Sequence, residues 1–413
     1  MRKITYFAML ICFSSLVFAG GFQLNQHGAK ASGMSGAFTA VANDPSAVYW
    51  NPGGLAHIKG THFMLSSHFV SPFSSFRGIS PNIDEYKTVK RIFYPTNFFA
   101  SHSFSDDLAV GFGFTVPFGL GTKWDDNWVG KYLALESRLQ IFTLQPTISY
   151  KVNKHFSIGA GLVFSFANVL LVQKTPQTPF EGDAKIKLEG KDNSAFGFNI
   201  GVMYSLTEDL TIGAAFQSGI EYNFKGTAKT EGAQELINTK RLPSGDVTAN
   251  LSTPFNSAIG IAYKINEDWI VSSDFQYVGW SSYDVLRVDF ADLPTERDIA
   301  SPRLYNNSYV VRFGTDYKFN EELSLRGGFY FDKKPVDDDM VSPSLPETDR
   351  LGFTVGAEYK LFDNLSLRGS FLYIRGNELK VNNSKQYITG NTPFNGVYNV
   401  NAYVLSFGLL YSL

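Results

Sequence analysis

Tyr204-Ser205-Leu206-Thr207-Glu208-Asp209-Leu210 sets an aromatic residue, an apolar residue and a short polar turn in front of a new apolar strand, and the phrase recurs. Its other copies are Ser103-Phe104-Ser105-Asp106-Asp107-Leu108, Tyr150-Lys151-Val152-Asn153-Lys154-His155-Phe156, Tyr263-Lys264-Ile265-Asn266-Glu267-Asp268-Trp269, Tyr317-Lys318-Phe319-Asn320-Glu321-Glu322-Leu323 and Tyr359-Lys360-Leu361-Phe362-Asp363-Asn364-Leu365. The tyrosines lie 54, 59, 54 and 42 positions apart, room for an up strand, a long loop and a down strand. Tight turns at one end and long loops at the other are the pattern of an outer-membrane barrel.

Outward from the turns, the side-chain period of two sorts each strand into faces. Leu108, Val110, Phe112, Phe114 and Val116 share one face, and Ala109, Gly111, Gly113 and Thr115 the other. Phe156, Ile158, Ala160, Leu162, Phe164 and Phe166 alternate with Ser157, Gly159, Gly161 and Ser165. Neither face is the charged exterior of a soluble sandwich. A lipid-facing wall around a polar or packed lumen accounts for both. Six turns join twelve strands in pairs; one strand at about 60–70 precedes them and one at about 397–413 follows. The expectation is an all-β, 14-stranded antiparallel transmembrane barrel with both termini at the turn, periplasmic, end. Seven loops are expected at 71–92, 118–137, 173–185, 226–248, 289–305, 333–347 and 379–396. Trp124 and Trp128 in the second of these read either as loop anchors or as girdle aromatics.

Arg2-Lys3, an apolar run from Ile4 to Phe18 and the small residue Ala19 read as a signal peptide over 1–19. The run is too short for a spanning helix, which needs about 20 apolar residues. The only cysteine, Cys12, falls inside it, so no disulfide or Cys-ligated metal is expected in the mature chain. Basic and acidic residues nearly balance, 36 to 38, which gives no electrostatic case for nucleic acid. Fourteen strands enclose a lumen too wide for wall side chains to fill. Residues 20–58, with Phe22, Leu24, Phe38, Val48, Tyr49, Trp50 and Leu55, are too apolar for a disordered tail and read as a hatch plugging the 59–413 barrel.

Gly21-Phe22-Gln23-Leu24-Asn25, Ala42-Asn43-Asp44-Pro45-Ser46-Ala47 and Asn51-Pro52-Gly53-Gly54-Leu55-Ala56 resemble the hatch of the FadL/TodX (OMPP1/FadL/TodX) family of outer-membrane transporters of long-chain fatty acids and hydrophobic compounds. Gly53 stands where the family has Ala. Val116-Pro117-Phe118-Gly119-Leu120 with Trp128-Val129-Gly130-Lys131-Tyr132, then Gln145-Pro146-Thr147-Ile148-Ser149-Tyr150, Trp280-Ser281-Ser282-Tyr283, Phe331-Asp332-Lys333-Lys334-Pro335-Val336 and Leu345-Pro346-Glu347-Thr348-Asp349-Arg350 extend the resemblance over nearly the whole mature chain. It implies a 14-stranded barrel and a route: capture of a hydrophobic molecule at outer loops, transfer to a pocket in the barrel, and hatch-controlled exit sideways into the lipid at a kinked third strand. It also implies a monomer in contact with outer-membrane lipid, with no cofactor, metal or catalysis.

Asn51, Pro52 and Gly53 are then the hatch element at the gate, and Pro117, Phe118 and Gly119 the strand break. Each also has a plainer reading, as an ordinary turn and as a strand end. Strand parity points Arg312, Arg326 and Arg368 inward; the last two sit low and are expected to tie the hatch or each other, leaving Arg312 for a ligand head group. Phe22, Leu171, Phe180, Leu236 and Ile237 are candidate ligand contacts, or for the loop residues simply the packing of one loop on another. A hydrophobic aromatic-compound channel and a general porin for polar solutes are the alternatives. A hydrolase is disfavoured, since His27, His57, His62, His68, His102 and His155 form no nucleophile–base set, with only Ser66 beside His68 left open.

Overall fold

The computed structural model describes residues 20–81, 83–291, 298–388 and 392–413. The expected signal segment, with Cys12, lies outside the described residues. The wall is built from β1 (Thr61–Gly78), β2 (Thr96–Ser103), β3 (Leu108–Lys123), β4 (Glu136–Lys151), β5 (Phe156–Pro176), β6 (Asp183–Ser205), β7 (Leu210–Gln217), β8 (Asn256–Asn266), β9 (Trp269–Val278), β10 (Ser308–Lys318), β11 (Leu323–Asp332), β12 (Arg350–Phe362), β13 (Leu365–Gly376) and β14 (Gly396–Ser412). Each pairs antiparallel with the next. β14 returns to β1 from His62↔Ser412 to Gly78↔Gly396 and closes the ring. The wall is the expected closed barrel of 14 antiparallel strands. No described helix is long and apolar enough to cross a membrane; pairing around the closed ring satisfies most of the wall backbone instead.

The turns hold for a local reason. Ser105 Oγ, Asn153 Oδ1, Thr207 Oγ1, Asn266 Oδ1 and Asn320 Oδ1, all at the same position of the repeated phrase, accept backbone N–H groups two or three residues on. Just before them Tyr150, Tyr204, Tyr263, Tyr317 and Tyr359 are all exposed and form the aromatic girdle at the turn end.

At the loop end several strands run further than expected. β1 continues from Val70 to Gly78, β3 passes through Pro117 to Lys123, and β5 and β6 replace most of the loop at 173–185. The expected loops at 226–248 and 289–305 contain strands Glu221–Glu231, Gly245–Ser252, Val285–Phe290 and Ile299–Pro302, which extend the sheet beyond the belt. Above the belt the outward residues turn polar, as at Lys185, Lys187, Glu189 and Lys191, so the apolar/small alternation that marks the wall is lost. Trp124 and Trp128 are loop anchors, not girdle residues. Their rings stack at 4.1 Å and both are fully buried.

Residues 20–58 fill the lumen. Helices α1 (Ala29–Gly33) and α2 (Ala47–Trp50) and a 3₁₀ turn at Pro52–His57 are almost wholly buried. The small polar residues of the inner wall face have partners there. Gln145 and Asn199 donate to Val48 O at 2.6 and 2.8 Å, Gln217 donates to Tyr49 O at 2.7 Å, Ser272 to Ala37 O at 2.8 Å and Thr354 to Gly33 O at 2.9 Å. Asp274 Oδ2 accepts from Phe38 N and Thr39 N at 3.0 and 2.8 Å. A segment with little regular structure thus has its buried carbonyls satisfied by the barrel rather than by itself.

Candidate functional site

The third strand carries the break in the wall. Thr115 faces Thr143 and Phe118 faces Ile141, so three steps on β3 match two on β4, a bulge centred on Val116-Pro117. On the opposite edge β2 stops pairing at Phe98↔Phe114, and the upper part of β3 has no wall neighbour there. The N-terminal segment takes that edge. Leu24 N donates to Pro117 O at 2.9 Å, Gly119 N donates to Phe22 O at 2.9 Å, and Gln23 bridges Phe118. Pro117 has no N–H to offer a strand neighbour, so its place on a half-free edge is the one a sheet tolerates.

Beside this edge lies a large cavity. Its lining mixes lumen residues (Tyr330, Asp332, Glu347, Arg350) with residues of the lipid-facing surface (Pro95, Phe114, Phe142) and with Gly21 to Gln26. It is thus lined from both the lumen side and the outer wall face. A second, smaller cavity sits higher, between the upper walls of β4–β6 and the extension strands. It is lined by apolar residues, among them Phe22, Leu139, Val169, Leu171, Leu188, Phe224, Leu251, Tyr283 and Val288, with Arg138 and Arg303 as its cations.

Phe22 touches both spaces, as do Leu120, Leu139 and Leu345. Its ring is held edge-on by Trp280 at 4.8 Å, Tyr283 at 5.6 Å and Phe118 at 5.8 Å. The preceding Gly21 has φ 78°, and a Cβ there would fall 2.0 Å from the Trp280 ring, so only glycine lets the chain pass and aim Phe22 into the partition. Gly21 N donates to Glu347 Oε2 at 2.8 Å. Burial pushes the Glu347 carboxyl up to about 7, against the opposing pull of Arg350 at 3.6 Å.

Asn51-Pro52-Gly53 is seated elsewhere. Asn51 Oδ1 accepts from Gly53 N at 3.1 Å, and its Nδ2 donates to Thr39 O at 2.7 Å and to Val202 O of β6 at 2.9 Å. Gly53 O accepts from Ser157 of β5 at 2.8 Å. A Cβ on Gly201 would come 2.1 Å from Asn51 Oδ1, so the wall is cut away to admit the motif. The motif rests on β4–β6, not against the Pro117 edge; its neighbours Val48 and Leu55 are what reach β3, at Gly111.

The hatch is pinned by charge as well. Lys30 pairs with Asp316 at 2.9 Å, Arg326 with Asp316 at 2.8 Å and Glu358 at 2.5 Å, and Arg368 with Glu358 at 3.0 Å and Asp44 at 2.6 Å. Three cations and three anions make a neutral chain, two of its members from the hatch and four from the wall. Arg368 ties the hatch directly through Asp44, whereas Arg326 pairs only with wall carboxylates and reaches the hatch through Asp316, which Lys30 also holds. Arg312 is also taken up by the hatch: its Nη2 donates to Asn25 Oδ1 at 3.1 Å and its guanidinium lies over Trp50. It lines a separate pocket with Tyr49, Gln217 and Gln276, not the apolar cavity.

Of the candidate ligand contacts, Phe22 and Leu171 line the cavity together. Leu236 and Ile237 pack with Ala184 and Leu242 in a small loop core, and Phe180 is exposed. Arg138, Arg303, Phe224 and Tyr283 were not singled out from sequence, since each becomes a lining residue only through folding. Among the described residues no group of His, Cys, Asp and Glu could hold a metal. His68 Nδ1 lies 2.8 Å from Ser406 Oγ, whereas Ser66 Oγ accepts from Ala29 N at 3.4 Å, so these two form no nucleophile–base pair.

The family model "Outer membrane protein transport protein (OMPP1/FadL/TodX)" matches residues 10–413. The chain is 25% identical to Outer membrane protein P1 of Haemophilus influenzae, over 98% of each chain. It is 24% identical to a Long-chain fatty acid transport protein of Escherichia coli, over 89% of each. The crystal structure of a Pseudomonas aeruginosa FadL homologue superposes with a TM-score of 0.86 at 20% identity, covering 95% of this chain and 100% of the other. That of the Pseudomonas putida toluene transporter TodX gives 0.74 at 18% identity, covering 94% and 99%.

Proposed function

Since the chain belongs to the OMPP1/FadL/TodX family of outer membrane transport proteins, we propose that it is an uptake channel for long-chain fatty acids or similar hydrophobic molecules, and that its ligand leaves sideways through the wall. The loop end faces outward and both termini lie on the periplasmic side, in keeping with short turns there and long loops opposite. The ligand is captured at the outer loops and held at the apolar cavity lined by Phe22 and Leu171. It passes the Phe22 partition once the N-terminal segment moves, and enters the hydrocarbon layer at the opening beside Pro117, Phe118 and Gly119.

The observation that carries this reading is the partition. Phe22, on a short pinned segment, lies with Leu120, Leu139 and Leu345 between an apolar cavity and a space lined in part by the outer wall face. The physical motive is that each methylene withdrawn from water is worth about 0.8 kcal/mol. A watery vertical path would forfeit this at every step, and a sideways path would not. A hatch hydrogen-bonded around the lumen also weighs against a porin for polar solutes. Arg303 in the cavity lining favours a ligand with a carboxylate over a bare aromatic hydrocarbon.

The test is uptake of radiolabelled oleate and toluene by a transport-deficient Gram-negative host carrying the chain. Saturable oleate uptake that exceeds toluene uptake supports the reading. Rapid size-limited entry of sugars without oleate uptake refutes it.

A further inference from the structure

The outer face of the barrel changes character along one line. On β6 the outward residues Ile200, Phe198 and Phe196 are exposed and apolar. Past the register shift against β5, the next outward residue is Lys191. There the sheet sets like charges opposite each other: Lys191 faces Lys225, and Lys187 faces Lys229, across β6 and strand Glu221–Glu231. Like charges directly opposite oppose strand pairing, and an anion beside them relieves the repulsion. Lys187 has Glu189 at 2.7 Å. Among the described residues, Lys191, Lys225 and Lys229 have no ion-pair partner. Lys191 and Lys225 also line a shallow open cavity on the outer surface, with Arg138 (itself held by Glu136), Gln140, Asn168 and Thr227 as further donors and Glu189, held by Lys187, as its one carboxylate.

We infer that this cavity is a binding site for the phosphorylated headgroup of an outer-leaflet glycolipid. Three observations converge: an uncompensated pair of lysines, a concave site that brings further donors to them, and a place one step above the apolar belt. A lipid whose acyl chains lie against Phe196 and Phe198 would bring its phosphate to Lys191 and Lys225. A free anion would gain nothing from that height. The inference rests on the orientation proposed above, since only one leaflet meets this end of the barrel.

Native mass spectrometry of the purified, detergent-solubilised protein tests it, with lipid A and with lipid A stripped of both phosphates as probes. The wild type is expected to retain the phosphorylated form at least about tenfold better, given the energy of a lysine at an anionic lipid surface. The paired variant Lys191→Gln/Lys225→Gln should lose the preference, and Lys191→Arg/Lys225→Arg should keep it. A heat-modifiable gel shift confirms that each variant is folded. If the Gln pair does not fold, the two-lipid comparison on the wild type still decides. Equal retention of both lipids by the wild type, a Gln pair that behaves like the wild type, or displacement of the lipid by millimolar inorganic phosphate would each overturn the inference. Oleate uptake by the Gln pair should remain at the wild-type level; loss of uptake in the wild type itself would instead count against the proposed function.

Discussion

Replacing Arg368 by Met should unlatch the hatch without disturbing the wall. Arg368 Nη1 lies 2.6 Å from Asp44 Oδ2, and both side chains are almost fully buried. Arg368 Nε also holds Glu358 at 3.0 Å, but Glu358 keeps Arg326 at 2.5 Å when Arg368 is gone. Asp44 has no second cation among its described ion pairs, so the substitution strands one buried carboxylate on the hatch. Removing one partner of a buried pair costs about 3–5 kcal/mol. At about 1.4 kcal/mol per factor of ten, the hatch-displaced state gains roughly two to three and a half powers of ten in population. Planar-bilayer recording should show frequent openings in Arg368→Met against a nearly silent wild type. The double variant Arg368→Met/Asp44→Asn removes the stranded charge while keeping an acceptor for Ser46 N, now at 2.9 Å, and should close the channel again. A single variant as silent as the wild type, or a double variant as leaky as the single, would refute the claim that this ion pair holds the hatch.

Phe22→Ala should merge the apolar cavity with the wall opening; equilibrium binding of a fluorescent fatty acid is expected to weaken about tenfold or more, as for loss of a well-packed aromatic, while the barrel's thermal stability stays unchanged. Arg303→Met should weaken binding of a fatty acid by about ten- to a hundredfold, the range of a charged hydrogen bond, and leave its methyl ester unaffected, as read by competition against the same probe. Glu347 predicts a pH dependence. Its carboxyl, pushed up to about 7 by burial, stays protonated in the folded protein while an unfolded glutamate ionises near 4.5. Between these values the folded state binds more protons, so the stability it contributes falls as pH rises and levels off above about 7. Protection of the Gly21 and Phe22 amides, corrected for intrinsic exchange, should therefore drop from pH 5 to pH 7.5, and Glu347→Gln should flatten the profile.

The barrel was legible because its signals are local. A polar residue such as Asn153 or Asn320 caps its turn three residues past the girdle tyrosine, and the strand that follows alternates at once. The hatch was legible by elimination, from an apolar N-terminal segment with no place in the wall. The loop-end strands were not legible, because outward lysines above the belt erase the alternation. Pro117 left strand end and gate equally open; what decides its setting is the edge beside it, taken up by Phe22 and Leu24 from almost 100 residues earlier in the chain. The cavity was the least legible part. Phe22, Leu139, Phe224, Tyr283 and Leu345 come from five separate segments, and no spacing in the sequence announces that they meet. Arg312 misled because inward parity identifies a lumen cation but not its partner, which proved to be Asn25 of the hatch.

The central claim is that ligand leaves through the wall beside the bulge on β3. Deleting Pro117 removes the extra residue between Thr115 and Phe118 and lets β3 pair in step with β4. Radiolabelled oleate uptake by cells carrying this variant, present in the outer membrane at the wild-type level, tests the claim most directly. Uptake reduced about tenfold or more, with ligand still bound by the purified protein, is the predicted result. Uptake at the wild-type rate through the straightened strand would contradict the account.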